Sequence, residues 1–163
     1  MVQVLFDVVN HLTRNGQALA ADADLTVQQW ILLLQVAGDP SFSAVAGARG
    51  AGGEVTASDV ARIRGVSRAS VSALVSALVR KGLLRQSDGA RDRRRKVLAI
   101  TARGRAALER LEPERRRANR ALFENFSRAE LARQLTALSG CLGKLRRARD
   151  RAAVAGVEAG VAE

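Results

Sequence analysis

The residues best suited to chemistry are positively charged, and they concentrate at one position in the chain. Residues 91–96 read RDRRRK, which places five cations in six positions directly before the apolar run 97–100. Arginine and lysine are the usual partners of phosphate oxygens, and a cluster of them attracts a polyanion because bound phosphates release counterions. The run indicates a nucleic-acid contact, and a solvated basic surface is the simpler alternative.

The net charge of +11 is unevenly distributed along the 163 residues. Residues 57–105 contain 13 Lys and Arg against three acids, whereas residues 1–56 contain two against five and residues 106–163 contain 12 against eight. The middle third therefore carries +10 by itself and forms an electropositive module. This concentration favours a polyanionic partner over a general role in solubility.

Two helices joined by a tight link are predicted within 55–86. Thr56 is a candidate N-cap for the first helix, with an acid three residues later, and Gly65 suits the turn. Ser67 is a candidate N-cap for the second helix, 67–81. Such a pair positions its second helix to enter the major groove of DNA.

The second helix has small and polar side chains between the residues of its apolar stripe. Small side chains let the helix backbone approach base edges closely, Arg68 can pair bidentately with guanine, and serines can bond to bases or phosphates. The predicted DNA-binding residues on this helix are Ser67, Arg68, Ala69, Ser70, Ser72, Ala73 and Ser76. On the evidence of this helix alone, a Ser-rich face that only contacts solvent is an equally good interpretation.

The basic run is predicted to form the tip of a β-ribbon, or wing. Residues 87–90 (SDGA) indicate a turn, and 96–100 (KVLAI) indicate a strand that returns from the tip. Arginines on a narrow ribbon suit the minor groove, and Asp92 is expected to hold one of them in a bidentate pair. The predicted contacts are Arg91, Asp92, Arg93, Arg94, Arg95 and Lys96.

Helical periodicity predicts four further helices, over residues 2–20, 25–38, 101–126 and 127–152. Thr26 and Gln29 fit a capping box, and Pro113 predicts a kink or a break in the third of these helices. Residues 38–54, rich in Gly, Ala and Ser, are predicted to form an exposed loop. Residues 151–163 are predicted to form a flexible tail.

Three stretches resemble the MarR (multiple-antibiotic-resistance regulator) family of transcriptional regulators: LTVQQW (25–30), GVSRASVSALVSALVRKGLL (65–84) and DRRRKVLAITARGR (92–105). The resemblance covers about residues 2–150 and implies a homodimeric winged helix-turn-helix protein that binds a near-palindromic DNA operator. It also implies that Asp92 and Arg94 match the family's wing Asp and DNA-contacting Arg. Two features depart from the family pattern: Gly89 stands where an Asp is frequent, and the 38–54 loop is long.

The predicted fold class is therefore mainly α with a small β-wing. Residues 25–105 are assigned to a winged helix-turn-helix DNA-binding domain, and residues 1–24 and 106–150 to a helical dimerisation region of an intertwined homodimer. The apolar residues of the flanking helices exceed what one small domain needs, and a second copy would bury them. A monomer with these helices folded over the wing domain is the alternative.

The resemblance suggests an anionic or aromatic effector bound between the dimerisation region and the DNA-binding module. His11, Arg14 and Trp30 are the candidate effector-binding residues, although a lone His on a helix is usually structural and Trp30 suits the core. A phenolic acid or its coenzyme A thioester is an expectation at the level of the family. Redox sensing through Cys141 is the alternative, but thiols in apolar helices are usually inert.

The sequence favours a sequence-specific transcriptional regulator, and a repressor released from a palindromic operator by its effector is the specific expectation. A nonspecific, architectural DNA-binding protein is the alternative. An enzyme is not expected, nor is a cofactor or metal, because the chain has one His, one Cys and no Tyr, and lacks metal-ligand spacing and phosphate-binding Gly loops. A cytoplasmic protein without a membrane segment is predicted.

Overall fold

The computed structural model describes residues 2–42, 54–90, 92 and 94–159, and within these ranges the chain forms six helices and three strands. The elements in chain order are α1 (Val2–Ala21), α2 (Val27–Ala37), β1 (Val55–Thr56), α3 (Ala57–Arg64), α4 (Arg68–Arg80), β2 (Leu84–Asp88), β3 (Lys96–Ile100), α5 (Ala102–Phe123) and α6 (Arg128–Ala159). The predicted fold class, mainly α with a small β-wing, is confirmed. Most of the predicted 38–54 loop lies outside the described residues.

Side chains at the helix starts satisfy backbone N–H groups that helix geometry leaves unpaired. The Thr26 hydroxyl accepts the Gln29 N–H at 3.2 Å, and the Gln29 side-chain oxygen accepts the Thr26 N–H at 3.2 Å. Thr56 and Asp59 form the same reciprocal pair at the start of α3. Gly65 ends α3 at φ 67°, a left-handed conformation that glycine adopts without penalty. These predicted caps are confirmed.

The three strands form an antiparallel sheet in the order β1-β3-β2. The pairing of β2 with β3 runs from Leu84↔Ile100 to Asp88↔Lys96, which confirms the predicted ribbon. The predicted turn at 87–90 is wrong in its start, because Ser87 and Asp88 pair with β3 and the turn begins at Gly89. Strand β1 was not predicted, because two residues give no alternation pattern.

The core lies between the inner face of this sheet and helices α2, α3 and α4. Helix α2 is buried nearly all round, and Leu32 and Leu33 have no exposed surface. Strand residues Leu84 and Leu98 face the helices from the sheet. Val66 is 43% exposed, because it follows the glycine that ends α3.

The long C-terminal helices differ from prediction in where they end. Pro113 lies inside α5 without ending it, and the Glu112 carboxylate bonds to Arg115 and Arg116 in the turn that follows. Helix α5 ends at Phe123 instead of near residue 126. Helix α6 continues to Ala159, past the start of the predicted tail at residue 151, because alanine-rich sequence favours helix.

An ion pair with little solvent exposure fastens α5 to the segment after α2. Arg115 Nη2 lies 3.0 Å from Asp39 Oδ2, and each side chain is 14% exposed. The same guanidinium lies 2.7 Å from Glu112 Oε2. Hydrogen bonds from Arg116 and then from Arg115 hold the pKa of Glu112 below its usual value, so this carboxylate remains charged.

The chain divides into two compact units, Met1–Arg117 and Ala118–Glu163. The first contains the sheet, α1 to α4 and most of α5, and the second contains the end of α5 and all of α6. Among the described residues, no helix has the length and apolar character required to cross a membrane.

Gly104 is buried where α5 approaches the sheet, and a Cβ there would lie 2.3 Å from the Leu83 carbonyl oxygen and 2.7 Å from Ile100 Cγ1. We expect Gly104→Ala to lower the free energy of unfolding in urea by about 1–3 kcal/mol, the usual cost of overpacking. Gly140→Ala is the control: its Cβ would meet nothing within 4 Å, so stability should hold or rise by up to about 1 kcal/mol. Equal stability of the two variants would contradict the close approach at Gly104.

Candidate nucleic-acid interface

Helix α4 has one buried face and one exposed face. Val71, Val75 and Leu78 are buried in the core, so the spacing of 3.6 residues per turn directs the residues between them to solvent. Every residue predicted to contact DNA from this helix is exposed, namely Ser67, Arg68, Ala69, Ser70, Ser72, Ala73 and Ser76. The helix therefore presents a small, polar surface with one arginine at its N-terminal end.

Two serines at the start of α4 are engaged in shaping the helix. The Ser67 hydroxyl accepts the Ser70 N–H at 3.1 Å, and the two hydroxyl oxygens lie 2.7 Å apart. This N-cap fixes the point at which the helix begins. Arg68, Ser72 and Ser76 are left as the polar side chains best placed to reach a bound partner.

The wing tip is folded by its own backbone and by the Asp92 side chain. The Gly89 N–H donates to the Arg95 carbonyl at 2.8 Å, and the Arg95 N–H donates to the Asp92 carbonyl at 3.0 Å. Asp92 Oδ1 accepts the backbone N–H of Arg94 at 2.9 Å. Asp92 therefore does not form the expected bidentate pair with the Arg94 guanidinium. Its carboxylate accepts a backbone N–H two residues later and stabilises the turn, as Asp side chains commonly do.

The described cations of the tip differ in their partners. Arg95 Nη2 lies 3.6 Å from Asp59 Oδ2, and the Lys96 ammonium pairs with Asp88 across the two strands. Arg94 is exposed and forms no ion pair with any described residue. Arg91 and Arg93 lie outside the described residues. Among the described cations of the tip, the structure therefore leaves Arg94 available for a partner.

The Arg95–Asp59 pair connects the wing to the helix-turn-helix. Asp59 is mostly buried, with 17% of its side chain exposed, and the same carboxylate caps α3 through Thr56. Arg62 approaches the other carboxylate oxygen at 3.7 Å from a side chain that is 65% exposed. Arg95 was predicted to contact DNA. In the structure its guanidinium pairs with Asp59 and so connects the wing to α3.

The turn between α1 and α2 receives one contact from the helix-turn-helix and one from α5. Lys81, which follows α4, pairs with Asp24 at 3.1 Å and also donates to the Asp24 carbonyl. Arg110 of α5 donates to the Asp22 carbonyl at 2.5 Å. Because both contacts converge on one turn, the end of α4 and the middle of α5 are fixed against the same short segment.

Sequence reasoning did not single out two further exposed arginines of the helix-turn-helix and the wing. Arg80 lies in the last turn of α4, seven residues after Ala73 and therefore nearly in line with it along the helix. Arg85 lies on β2 opposite Ala99 of β3. Extending the count of outward positions by one more turn of α4 would have identified Arg80, whereas Arg85 required the strand register.

The three candidate effector residues differ in exposure. His11 and Arg14 are exposed on α1, and Trp30 is 6% exposed within the core. Cys141, predicted to be inert in apolar surroundings, is instead exposed on α6. Among the described residues, no three His, Cys, Asp or Glu side chains are grouped as a metal site would require.

The geometry defines a class of protein: a helix-turn-helix followed by a two-stranded ribbon, with helices on either side of this module in the sequence, is a winged helix-turn-helix. A family model described as the MarR family matches residues 23–95, which include the helix-turn-helix and most of the wing. Residues 23–95, a little under half of the chain, are therefore similar to the MarR family.

Solved structures of MarR-family proteins share this fold over most of the chain. A MarR-family regulator from Listeria monocytogenes, solved in complex with 26mer DNA, has 15% identity and a TM-score of 0.75, with 90% of this chain and 89% of that chain covered. The transcriptional regulator SlyA has 14% identity and a TM-score of 0.72, with 90% and 94% covered. MepR from S. aureus, solved as a DNA complex, has 20% identity and a TM-score of 0.68, with 89% and 96% covered. Curated proteins give no match to the sequence.

Asp59→Asn removes the charge that meets Arg95 while leaving an oxygen that can cap α3. We expect hydrogen exchange of the Gly89 and Arg95 amides to become up to about fivefold faster, since a partly exposed pair contributes about 1 kcal/mol or less. Arg62→Gln is the control, because it removes the more exposed partner of the same carboxylate and should leave both amides unchanged. Unaltered exchange in Asp59→Asn would show that Asp59 does not hold the wing.

Proposed function

We propose that this protein is a sequence-specific DNA-binding transcriptional regulator that inserts α4 into the major groove and places its wing tip against the neighbouring minor groove. The observation that carries the proposal is the pairing of two exposed surfaces on one rigid module. The small polar face of α4 and the tip with Arg94 belong to a single folded unit, and Asp59 joins the helix-turn-helix to the wing. DNA complexes of MarR-family proteins with this fold support the assignment.

We propose that the working form is a homodimer on a near-palindromic operator. Seven apolar side chains of α1 are more than 40% exposed: Val2, Val4, Leu5, Phe6, Val8, Val9 and Leu12. A second set is exposed in the other unit, comprising Leu122, Phe123, Phe126, Leu135, Leu138, Leu142 and Leu145. Apolar surface on this scale is unfavourable in water and is typical of an interface. A two-fold pair would present two α4 helices to successive major grooves.

We propose that the regulator acts as a repressor and that a small anionic or aromatic effector releases it. Residues 1–24 and 106–150 form the dimerisation region in this proposal, and residues 25–105 form the DNA-binding domain. Nonspecific, architectural binding is the competing function. It predicts equal affinity for the chain's own upstream DNA and for random duplex of the same length at moderate salt, whereas a regulator prefers its own site by at least about 10³-fold.

Arg94→Ala is expected to weaken binding of the upstream DNA by about 1–3 kcal/mol, because it removes the described tip guanidinium that has no ion-pair partner in the protein. Fluorescence anisotropy at several salt concentrations measures the affinity and the number of phosphate contacts. Arg133→Ala, which removes an exposed charge from α6, is the matched control and should change affinity little. An unchanged affinity for Arg94→Ala would show that the wing does not contact DNA.

Arg68→Ala is expected to reduce the preference for one base pair of the operator, because a bidentate arginine discriminates guanine by about 1–3 kcal/mol. The measurement compares affinities for the operator and for single-base variants of each half-site. A uniform loss of affinity with the preference intact would place Arg68 on a phosphate instead.

A further inference from the structure

Helix α5 packs on the core of the first unit along its N-terminal half. Gly104 approaches the Leu83 backbone closely, and Leu111 is 3% exposed within the core. Arg115, one turn after Leu111, is the last residue of α5 that is not exposed, because residues 116–123 all face solvent. The contacts of Arg115 therefore mark the point at which the attachment of α5 to the first unit ends.

Pro113 lies between these two points of attachment. Proline has no backbone N–H, so the Glu109 carbonyl one turn earlier lacks the donor that any other residue at this position would supply. Sharp bends in helices occur most often at proline for this reason. Pro113 is therefore the position at which α5 bends most readily, and the helix continues beyond it into the second unit.

A bidentate ion pair holds α5 directly after this position. Arg115 Nη2 donates to Asp39 Oδ2 at 3.0 Å, Nη1 donates to Asp39 Oδ1 at 3.5 Å, and Nε donates to Glu112 Oε2 at 2.7 Å. Asp39 Oδ1 also accepts the Ser41 N–H at 2.9 Å. Arg115 and Asp39 are each 14% exposed, so replacement of Arg115 would leave a largely desolvated carboxylate without this counterion.

Asp39 is itself fixed to the end of α2. Its N–H donates to the Leu34 carbonyl at 3.0 Å, and it follows Gly38, which ends the helix in a left-handed conformation. Helix α2 is buried in the same core as Val71, Val75 and Leu78 of α4. The ion pair therefore connects the segment of α5 after the proline to the core that positions α4.

We propose that Asp39 and Arg115 are positioning residues that hold α5 straight at a Pro113 hinge and thereby set the spacing of operator half-sites that the protein accepts. The inference rests on the proposed function, in which the helices after this hinge belong to the dimerisation region and α4 reads DNA. With the pair intact, α5 leaves each DNA-binding module in one direction, so the two modules of a dimer are held at one separation. Without the pair, each module could turn about Pro113, and half-sites at other separations would also fit.

A purely structural role for the pair is the alternative. In that case its loss would lower the fraction of folded protein and weaken binding to every duplex alike. The two roles therefore differ in the dependence of affinity on half-site spacing, and a change in affinity for one duplex does not separate them.

The experiment measures this dependence by fluorescence anisotropy with the full chain. The probes are a duplex with two inverted half-sites, selected by the wild type from a random-sequence library, the single half-site, and duplexes with one or two base pairs inserted between the half-sites. The wild type is expected to lose at least about tenfold in affinity on insertion of one base pair, because the insertion rotates one half-site by about 35°.

Arg115→Gln and Asp39→Asn are expected to lose less than about threefold on the same insertion, and to bind the single half-site as the wild type does. Asp39→Asn retains a side-chain oxygen for the Ser41 N–H, so it removes the charge with little change to the turn. Arg116→Gln is the matched control: its side chain is 76% exposed and pairs with Glu112, so this variant should keep the wild-type dependence on spacing.

Pro113→Ala provides the test of the hinge, because alanine restores the missing helical N–H. Added to Arg115→Gln, it should restore the dependence on spacing. A second measurement needs no DNA: hydrogen exchange of the Arg117 and Ala118 amides should be at least about fivefold faster in Arg115→Gln than in the wild type, since the helix after the proline has lost its anchor.

A wild-type dependence on spacing in both Arg115→Gln and Asp39→Asn would overturn the inference. An equal loss of affinity for all of the duplexes would also overturn it, because a purely structural role predicts that result. Failure of Pro113→Ala to restore the dependence, or unaltered amide exchange in Arg115→Gln, would refute the hinge at Pro113. These results leave the proposed function intact, whereas a wild type that prefers no duplex would overturn the proposed function and the spacing role with it.

Discussion

The carboxylate of Asp59 is the point on which the arrangement of the candidate interface depends. It accepts the Thr56 N–H and hydroxyl, which fixes the start of α3 and the end of β1, and it meets Arg95 at the wing tip. Each of these contacts is weak by itself, but they share one side chain that is largely buried. The Asp59 carboxylate therefore links the start of α3 and the end of β1 to the wing tip, and it adds to the core packing of Leu84 and Leu98 against the helices.

The short strand β1 supports β3 near the wing tip. Its pairing with Val97 and Leu98 secures β3 near the tip, where Asp92 shapes the turn and Arg94 is exposed. Arg85 and Arg105 line a cavity beside the other end of β3.

Positive charge and apolar surface are separated along the chain, and each suits a different partner. The middle third carries the excess of cations, whereas α1 and α6 expose rows of Val, Leu and Phe. Burial of an apolar side chain contributes about 1.5–3 kcal/mol, so a second copy covering these rows would gain more than any single ion pair provides. In the proposed dimer, the DNA surface and the assembly surface lie on different elements of the chain.

The sequence by itself determined the helices, their caps and the order of helix, turn, helix and wing, because these depend on spacing and on side chains within a few residues of each other. The helix caps are local in this sense: they are formed by Thr26 with Gln29, by Thr56 with Asp59, and by Gly65. The exposed positions of α4 could also be predicted, because they depend only on spacing within the helix. Tertiary structure alone decided the pairing of Arg95 with Asp59, 36 residues apart, the existence of β1 and the cavity at the edge of β3. These features depend on which distant segments meet, and no local pattern of residues encodes that.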